Sequence, residues 1–298
     1  MFRHTNRLQY FTPPEKPDAH LALCLQELLG GHYGEVTVMM QYLLQGWTCK
    51  GEAKYRDMLL DIGTEEIGHV EMLSTLIAML MDKAPMTDKE AMAESNPIMG
   101  AIMGGGKNTG EAIVELAALS PEMVIASGGG PMLMDSAGSP WNGKFATASG
   151  NLLADFRDNL AKESQGRLQA VRVYNMTDDR GVKDTLGFMI ARDTMHQEMW
   201  RRAVIELEER FGGTIAPVSF ADPADKTQFG TQVWGLSDGT HGGEGAWAQG
   251  EMSNGQGGIT YLPQPDALGP VPRFAPPDPR LHADQPGAMP ASRKHGTA

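Results

Sequence analysis

Apolar residues recur at helical spacing along four long stretches of the chain, with polar or glycine-rich breaks between them. A short helix is predicted first, capped by Asp18, running through about Leu29 and ended by Gly30-Gly31. The residues before it, 1 to 16, read as extended and close on Pro13-Pro14. From Tyr33 onward, Glu35, Val38, Met39, Tyr42 and Gly46 share one helical face, until Cys49-Lys50-Gly51 interrupts the pattern. A second long helix is expected from about Glu52 to Asp82, with Leu59, Ile62, Leu73, Leu76 and Leu80 on its apolar face. Ser149-Gly150-Asn151 starts a third, whose inner stripe is Leu153, Phe156, Leu160, Glu163, Ala170 and Tyr174. The turn from Thr177 to Gly181 opens a fourth, through about Phe211, striped by Leu186, Met189, Asp193, His196, Trp200, Ala203 and Leu207; Gly212-Gly213 ends it.

Two stretches break this pattern. From Lys83 to Gly150, Met, Gly, Ser and Pro dominate, with room for short helices at Asp88 to Glu94 and Gly110 to Leu119. An ordered excursion that crosses over the bundle fits, since helix bundles often carry one long connection. Its GGGK at 104 to 107 lacks the preceding strand and the spacing of a phosphate loop. From residue 214 onward Gly and Pro dominate and helical periodicity is absent, although Phe229, Trp234, Trp247 and Tyr261 need surfaces to pack on. The expected architecture is all-α: an antiparallel four-helix bundle over residues 1 to 213, crossed by 84 to 150. Residues 214 to 298 form a mostly irregular tail that wraps neighbouring subunits.

Composition narrows the function. A chain of 298 residues can bury a substantial core. A net charge of -12 argues against a nucleic-acid partner, which needs clustered Lys and Arg. The longest apolar run, around Leu76 to Met81, falls far short of the roughly 20 residues that span a bilayer, so no membrane partner is expected. The opening MFRHTNRLQYF lacks the apolar core of a signal peptide. Cys24 and Cys49 are the only cysteines, which leaves no disulfide framework or thiolate metal cluster and suits a cytoplasmic location.

The chemistry is concentrated in Thr64-Glu65-Glu66-Ile67-Gly68-His69. Glu66 and His69, three apart, leave one face of an otherwise apolar helix, and burying either unpaired is costly. In an antiparallel hairpin, residues equidistant from the turn share a height. Glu35 and Glu66 centre on the Cys49-Lys50-Gly51 turn, and Glu163 and His196 on the Asp178-Asp179-Arg180 turn. Each pair lies roughly 23 Å from its turn at 1.5 Å per residue. Docking the hairpins with both turns at the same end would superimpose the two pairs at mid-bundle. The inventory is then Glu35, Glu66, His69, Glu163, Asp193 and His196, and carboxylates with imidazoles but no thiolates suit manganese or iron. A lone buried His is more often a satisfied core residue; six such groups on matching faces favour a dinuclear metal site. His4, His20, His32, His241, His282 and His295 lack a matching acid on a long helix, and the 20 methionines read as core filler.

Four segments, LLGGHYGEVTVMMQYLLQGW, DIGTEEIGHVEM, GNLLADFRDNLAKESQGRLQAVRVYNMTDD and MIARDTMHQEMW, closely resemble the dimanganese (non-haem) catalases, as does SPWNGKF in the crossover. The resemblance covers roughly residues 1 to 265. It implies a ferritin-like bundle, a homohexamer, and disproportionation of hydrogen peroxide to water and dioxygen by a manganese pair cycling between its two-plus and three-plus states. It gives Glu66 the role of bridging both manganese ions, with Glu35 and His69 completing one and Glu163 and His196 the other. Tyr42 resembles the tyrosine that hydrogen-bonds a ligating carboxylate, and Lys162 the Arg or Lys at the substrate approach. Asp193 falls where some members carry a glutamate acid/base; one methylene shorter, it is expected to reach the bridging solvent through a water. A structural calcium is also implied, held by Asp57, Asp61 and the Gly235, Ser237, Gly239 loop, although Gly235 replaces the usual Asn and an exposed acidic pair is the plain alternative. Two other classes stay open at this point: a di-iron oxidase on the same scaffold, and a structural coat or assembly protein.

Overall fold

Each long helix starts where a side chain or an extended residue can complete the free end of the backbone. The computed structural model describes residues 4–82, 84, 123, 125–211, 227–255, 257–275, 278 and 280–281. The chain divides into two compact units, Met1–Ala221 and Asp222–Ala298. In the first, α1 spans Ala19–Gly30, and the Asp18 carboxylate accepts from the Leu21 N–H at 2.9 Å. Helix α2 spans Glu35–Thr48 and α3 spans Ala53–Met81. Helix α4, Leu152–Met176, is capped by Asn151, and α5, Arg180–Arg210, by Asp179. These bounds match the expected ones because Asx caps and glycines are strong local signals. The expected short helices at 88 to 94 and 110 to 119, the GGGK segment and Gly212-Gly213 lie outside the described residues.

Helices α2 and α3 form a close antiparallel hairpin. A Cβ on Gly46 would come within 2.7 Å of Leu60, and one on Gly63 within 3.1 Å of Leu43, so glycine permits the approach. Helices α4 and α5 form the second hairpin, joined by Arg157 to Glu208 at 2.7 Å, Gln197 to Ser164 at 2.8 Å and Arg167 to Thr194 at 3.0 Å. The hairpins meet along α2 and α4, where the Gln41 and Gln45 amides donate to Asn159 Oδ1 at 2.7 and 3.0 Å. They meet again along α3 and α5, through Arg192 and Glu65. Two apolar clusters fill the bundle. One gathers Leu73, Leu76, Leu80, Val182, Leu186 and Met189; the other Tyr42, Leu59, Ile62, Phe156, Trp200 and Leu207. Between them, midway along α3, α4 and α5 and at the start of α2, lies a polar layer.

The relative direction of the hairpins differs from the expected docking. The α2–α3 turn packs against the start of α4 and the end of α5: Gly51 abuts Leu152, Glu52 pairs with Arg210, and Lys54 with Glu206. The α4–α5 turn lies at the other end, where Glu15 N–H donates to Asp179 at 2.7 Å. The end of α3 is there too, since the Asp18 N–H donates to the Leu80 carbonyl at 2.9 Å. The turns are therefore at opposite ends, and α3 and α4 run parallel. A parallel pair requires a connection that returns along the whole of α3, whose 29 residues are roughly 43 Å long. That is the physical reason for the long crossover. Its described part, 125–150, lies over α1 and α2, with the Trp141 indole donating to Thr37 at 2.9 Å and the Thr147 N–H to Gln41 at 2.7 Å.

The residues before α1 lie as an extended arm on α5. Thr12 N–H donates to Thr185 at 3.0 Å, the Tyr10 hydroxyl donates to Asp184 at 2.7 Å, and the Tyr10 and Phe188 rings stack at 4.6 Å. The second unit holds a short helix, α6 (Thr227–Gly230), and two strands, β1 (Gln232–Gly235) and β2 (Thr260–Pro263), paired in parallel with Gln232 opposite Thr260. The regular structure there exceeds what the absence of helical periodicity suggested.

Gly181 makes the arm's fit a testable point. A Cβ there would overlap the Pro13 carbonyl. Gly181→Ala is expected to lift the arm and cost about 1–3 kcal/mol, the usual range for overpacking. Chemical denaturation should show the loss of stability, and limited proteolysis should cut within residues 4 to 16 faster than in the unaltered protein.

Candidate metal centre

Six acids and imidazoles meet in the layer between the two apolar clusters. Glu35 opens α2, Glu66 and His69 lie at the middle of α3, Glu163 at the middle of α4, and Asp193 and His196 at the middle of α5. Their ligand atoms fall into two overlapping sets: Glu35, Glu66, His69 and Asp193; and Glu66, Glu163, Asp193 and His196. Within each set the atoms lie within 4.8 Å of one another. Glu66 belongs to both and divides its oxygens, Oε2 lying 2.7 Å from His69 Nδ1 and Oε1 2.9 Å from His196 Nδ1. Glu35 and Asp193 approach the same His69 nitrogen at 3.5 and 3.4 Å, and Glu163 lies 3.9 Å from His196 Nδ1. The two rings are close to parallel, 5.7 Å apart.

These separations are short, yet the atoms do not hydrogen-bond one another. Both Glu66 oxygens, both ring nitrogens of His69 and of His196, and Asp193 Oδ1 are buried without a hydrogen-bond partner among the described residues. Short distances without bond geometry mean that the groups point at a shared volume rather than at each other. Leaving a buried charge uncompensated costs roughly 3–5 kcal/mol. Divalent cations at the focus would answer that cost, and the oxygen and imidazole donor set fits manganese or iron. The donors present thus fit a dinuclear metal site.

The electrostatics agree. Burial and the neighbouring Glu66 push Glu35 up to about 7 and Glu163 up to about 8. Burial, then Glu35, holds Asp193 well above the usual carboxylate range. Burial also opposes ionisation of Glu66, but His69 and His196 outweigh it and hold that carboxylate low. Burial disfavours a charged His196, yet Glu65 and Glu66 carry it up to about 10, and Glu66 with Glu35 raises His69 in the same way. Around the ionised Glu66, the other three carboxylates are pushed to keep their protons unless a positive charge replaces them.

The other singled-out residues take distinct places. The Tyr42 hydroxyl donates to Glu163 Oε1 at 2.7 Å, and burial followed by the Glu163 charge keeps its own proton on. Lys162 is 4% exposed, with Nζ 3.8 Å from Asp158 and 5.7 Å from the Tyr33 ring centre. Asp193, despite its shorter chain, brings its carboxylate into both donor sets. Asp57 and Asp61 are exposed on α3 in the first unit. Gly235, Ser237 and Gly239 belong to the second, where the Gly235 carbonyl accepts from the Gln264 N–H at 2.9 Å and Ser237 Oγ from the Gly239 N–H at 3.3 Å. Sequence reasoning passed over Glu65, which reaches His196 Nε2 at 3.0 Å. Its one signal was a second acid beside Glu66, set off the apolar stripe.

The fold and the site define a class: a ferritin-like helical protein whose bundle core presents carboxylates and imidazoles as metal donors. A family model described as manganese containing catalase matches residues 1–295. A manganese catalase of Bacillus subtilis is 44% identical over 287 residues, covering 96% of this chain and 99% of that protein. An uncharacterized protein of the same organism, YjqC, is 47% identical over 95% of this chain and 97% of its own length. Among solved structures, KatB, a manganese catalase from Anabaena, superposes with a TM-score of 0.67 at 24% identity, covering 89% of this chain and all of that one. The chain belongs to the manganese catalase family.

Metal uptake must displace the protons held at the centre. With His196 at about 10 and Glu163 at about 8, both are protonated in the metal-free protein at pH 7. Manganese binding at pH 7 is therefore expected to release protons, and affinity to rise between pH 6 and pH 8. Calorimetric titrations in buffers of different ionisation enthalpy would read the release; an uptake that is pH-independent and proton-neutral would contradict it.

Proposed function

We infer that this chain disproportionates hydrogen peroxide to water and dioxygen at two manganese ions. Glu35 and His69 would hold one, Glu163 and His196 the other, with Glu66 shared between them. The family membership supports the chemistry, and one observation carries the residue assignment: Glu66 offers one oxygen toward each histidine from a fully buried position. Manganese bound there supplies the two electrons that one peroxide accepts and the next returns.

The protein's own part is protons, positioning and exclusion of water. The peroxide that is reduced takes up two protons as it becomes two waters, and the peroxide that is oxidised gives two up as it becomes dioxygen. A group that holds protons between these halves must sit at the centre. Asp193 does, since its carboxylate reaches both donor sets and lies outside the five assigned ligands. Tyr42 fixes Glu163 through the 2.7 Å bond, which keeps that carboxylate turned toward the centre. Lys162, the residue before Glu163, is nearly buried beside Asp158 and Tyr33, and the family likeness supports it as the cation at the substrate approach. The apolar clusters above and below, with Phe156, Trp200, Leu73 and Leu76, keep bulk water out.

The family likeness further supports a structural calcium ion, for which Asp57 and Asp61 offer carboxylate oxygens. It supports a homohexamer in which the tail packs on neighbouring subunits, a role consistent with the exposure of Trp234, Trp247 and Phe274. Cys24 and Cys49, both unpaired, suit the cytoplasm. No described helix is long and apolar enough to cross a membrane.

Glu66→Gln is expected to keep the fold and lower oxygen release from peroxide by more than about 100-fold, beyond the 10–100-fold typical of residues that only orient ligands. Tyr42→Phe belongs in that lower range. Purified protein that holds manganese but releases no oxygen would remove the catalase reading, and full activity in Glu66→Gln would remove the assignment of the bridge.

A further inference from the structure

The two imidazoles at the centre present the same atom inward and different surroundings outward. Nδ1 of each faces Glu66. Nε2 of His69 is buried with no hydrogen-bond partner among the described residues. Nε2 of His196 instead lies 3.0 Å from Glu65 Oε2. That contact has hydrogen-bond length without an in-line N–H, so its effect is read from the position and charge of the carboxylate.

Glu65 is itself held from two sides. Arg192, on α5, donates to its Oε1 from Nε at 2.6 Å and to its Oε2 from Nη2 at 3.1 Å. Gln9, in the N-terminal arm, donates to Oε1 at 3.0 Å. Successive helix residues point about 100° apart, so Glu66 can face the centre while Glu65 covers the seam between α3 and α5. Three donors from two segments fix a carboxylate against one ring only. Carboxylates placed behind a ligating imidazole fix its orientation and increase its basicity, with effects on affinity of about 10–100-fold.

We propose that Glu65 is the positioning residue of His196 and makes the two metal positions unequal. The position served by His196 and Glu163 has an imidazole backed by a clamped carboxylate; the position served by His69 and Glu35 has none among the described residues. This rests on the dinuclear reading above and adds an order of occupancy to it: the His196 position fills first and empties last.

Titration of metal-free protein with manganese(II), followed by calorimetry, tests it. The unaltered protein should show two binding events of unequal affinity. Glu65→Ala should weaken the tighter event by about 10–100-fold and leave the weaker one in place. Glu65→Gln, whose amide oxygen still accepts, should fall between, and it carries the test if the alanine variant does not fold. A merely structural role for Glu65 would weaken both events together and lower the melting temperature of the metal-free protein. That result, equal events in the unaltered protein, or unchanged affinities in both variants would overturn the proposal. Oxygen release is measured on the same samples. Two bound manganese ions without oxygen release would contradict the catalase reading and leave the Glu65 comparison standing.

Discussion

Charge buried without a partner is the constraint on which this structure turns. Glu35, Glu66, Glu163 and Asp193 with His69 and His196 occupy the middle of a bundle whose neighbouring layers are apolar. Self-pairing does not resolve the conflict: the rings and Glu66 are close but do not hydrogen-bond, and three of the four carboxylates are pushed toward their protonated forms. Such a layer is stable only if something positive belongs there. Every nearby feature serves that layer, from Tyr42 on Glu163 to Glu65 behind His196.

The scaffold follows from the need to bring four helices to one level. Gly46 and Gly63 let α2 and α3 approach closely, and Gln41, Gln45 and Asn159 lock α2 to α4 through a buried amide ladder. That ladder fixes register between the hairpins, because a one-turn slip would leave several buried amides unsatisfied. The crossover then closes over α1 and α2 through Trp141 and Thr147. The N-terminal arm does the same on α5 and α3, and Gln9 connects it to the carboxylate behind His196.

Much of this was legible in the sequence because its signals are local. Asp18, Asn151 and Asp179 mark helix starts through their own side chains, and they bond as such residues should. Glu66 and His69 stand out because an acid and an imidazole on an apolar stripe are chemically out of place. The direction of the second hairpin was misread for a physical reason. Glu163 and His196 lie near the middle of their helices, so turning the hairpin end for end hardly changes their height. The discriminating clue was the long connection itself, which an adjacent pair of helix ends would not need. Glu65 was passed over because its meaning depends on Arg192, 127 residues away, and the two short strands because their parallel pairing is remote in sequence. The extra turn of detail in Asp193 was a matter of reach: α5 lies close enough to the centre for the shorter side chain to enter both donor sets.

The most direct measurement is anomalous scattering at the manganese edge from crystals of protein purified with manganese. The account requires two manganese peaks within the cluster, one between Glu35 and His69 and one between Glu163 and His196, with Glu66 reaching both. A single peak, peaks elsewhere, or the six side chains paired with each other around no metal would contradict it.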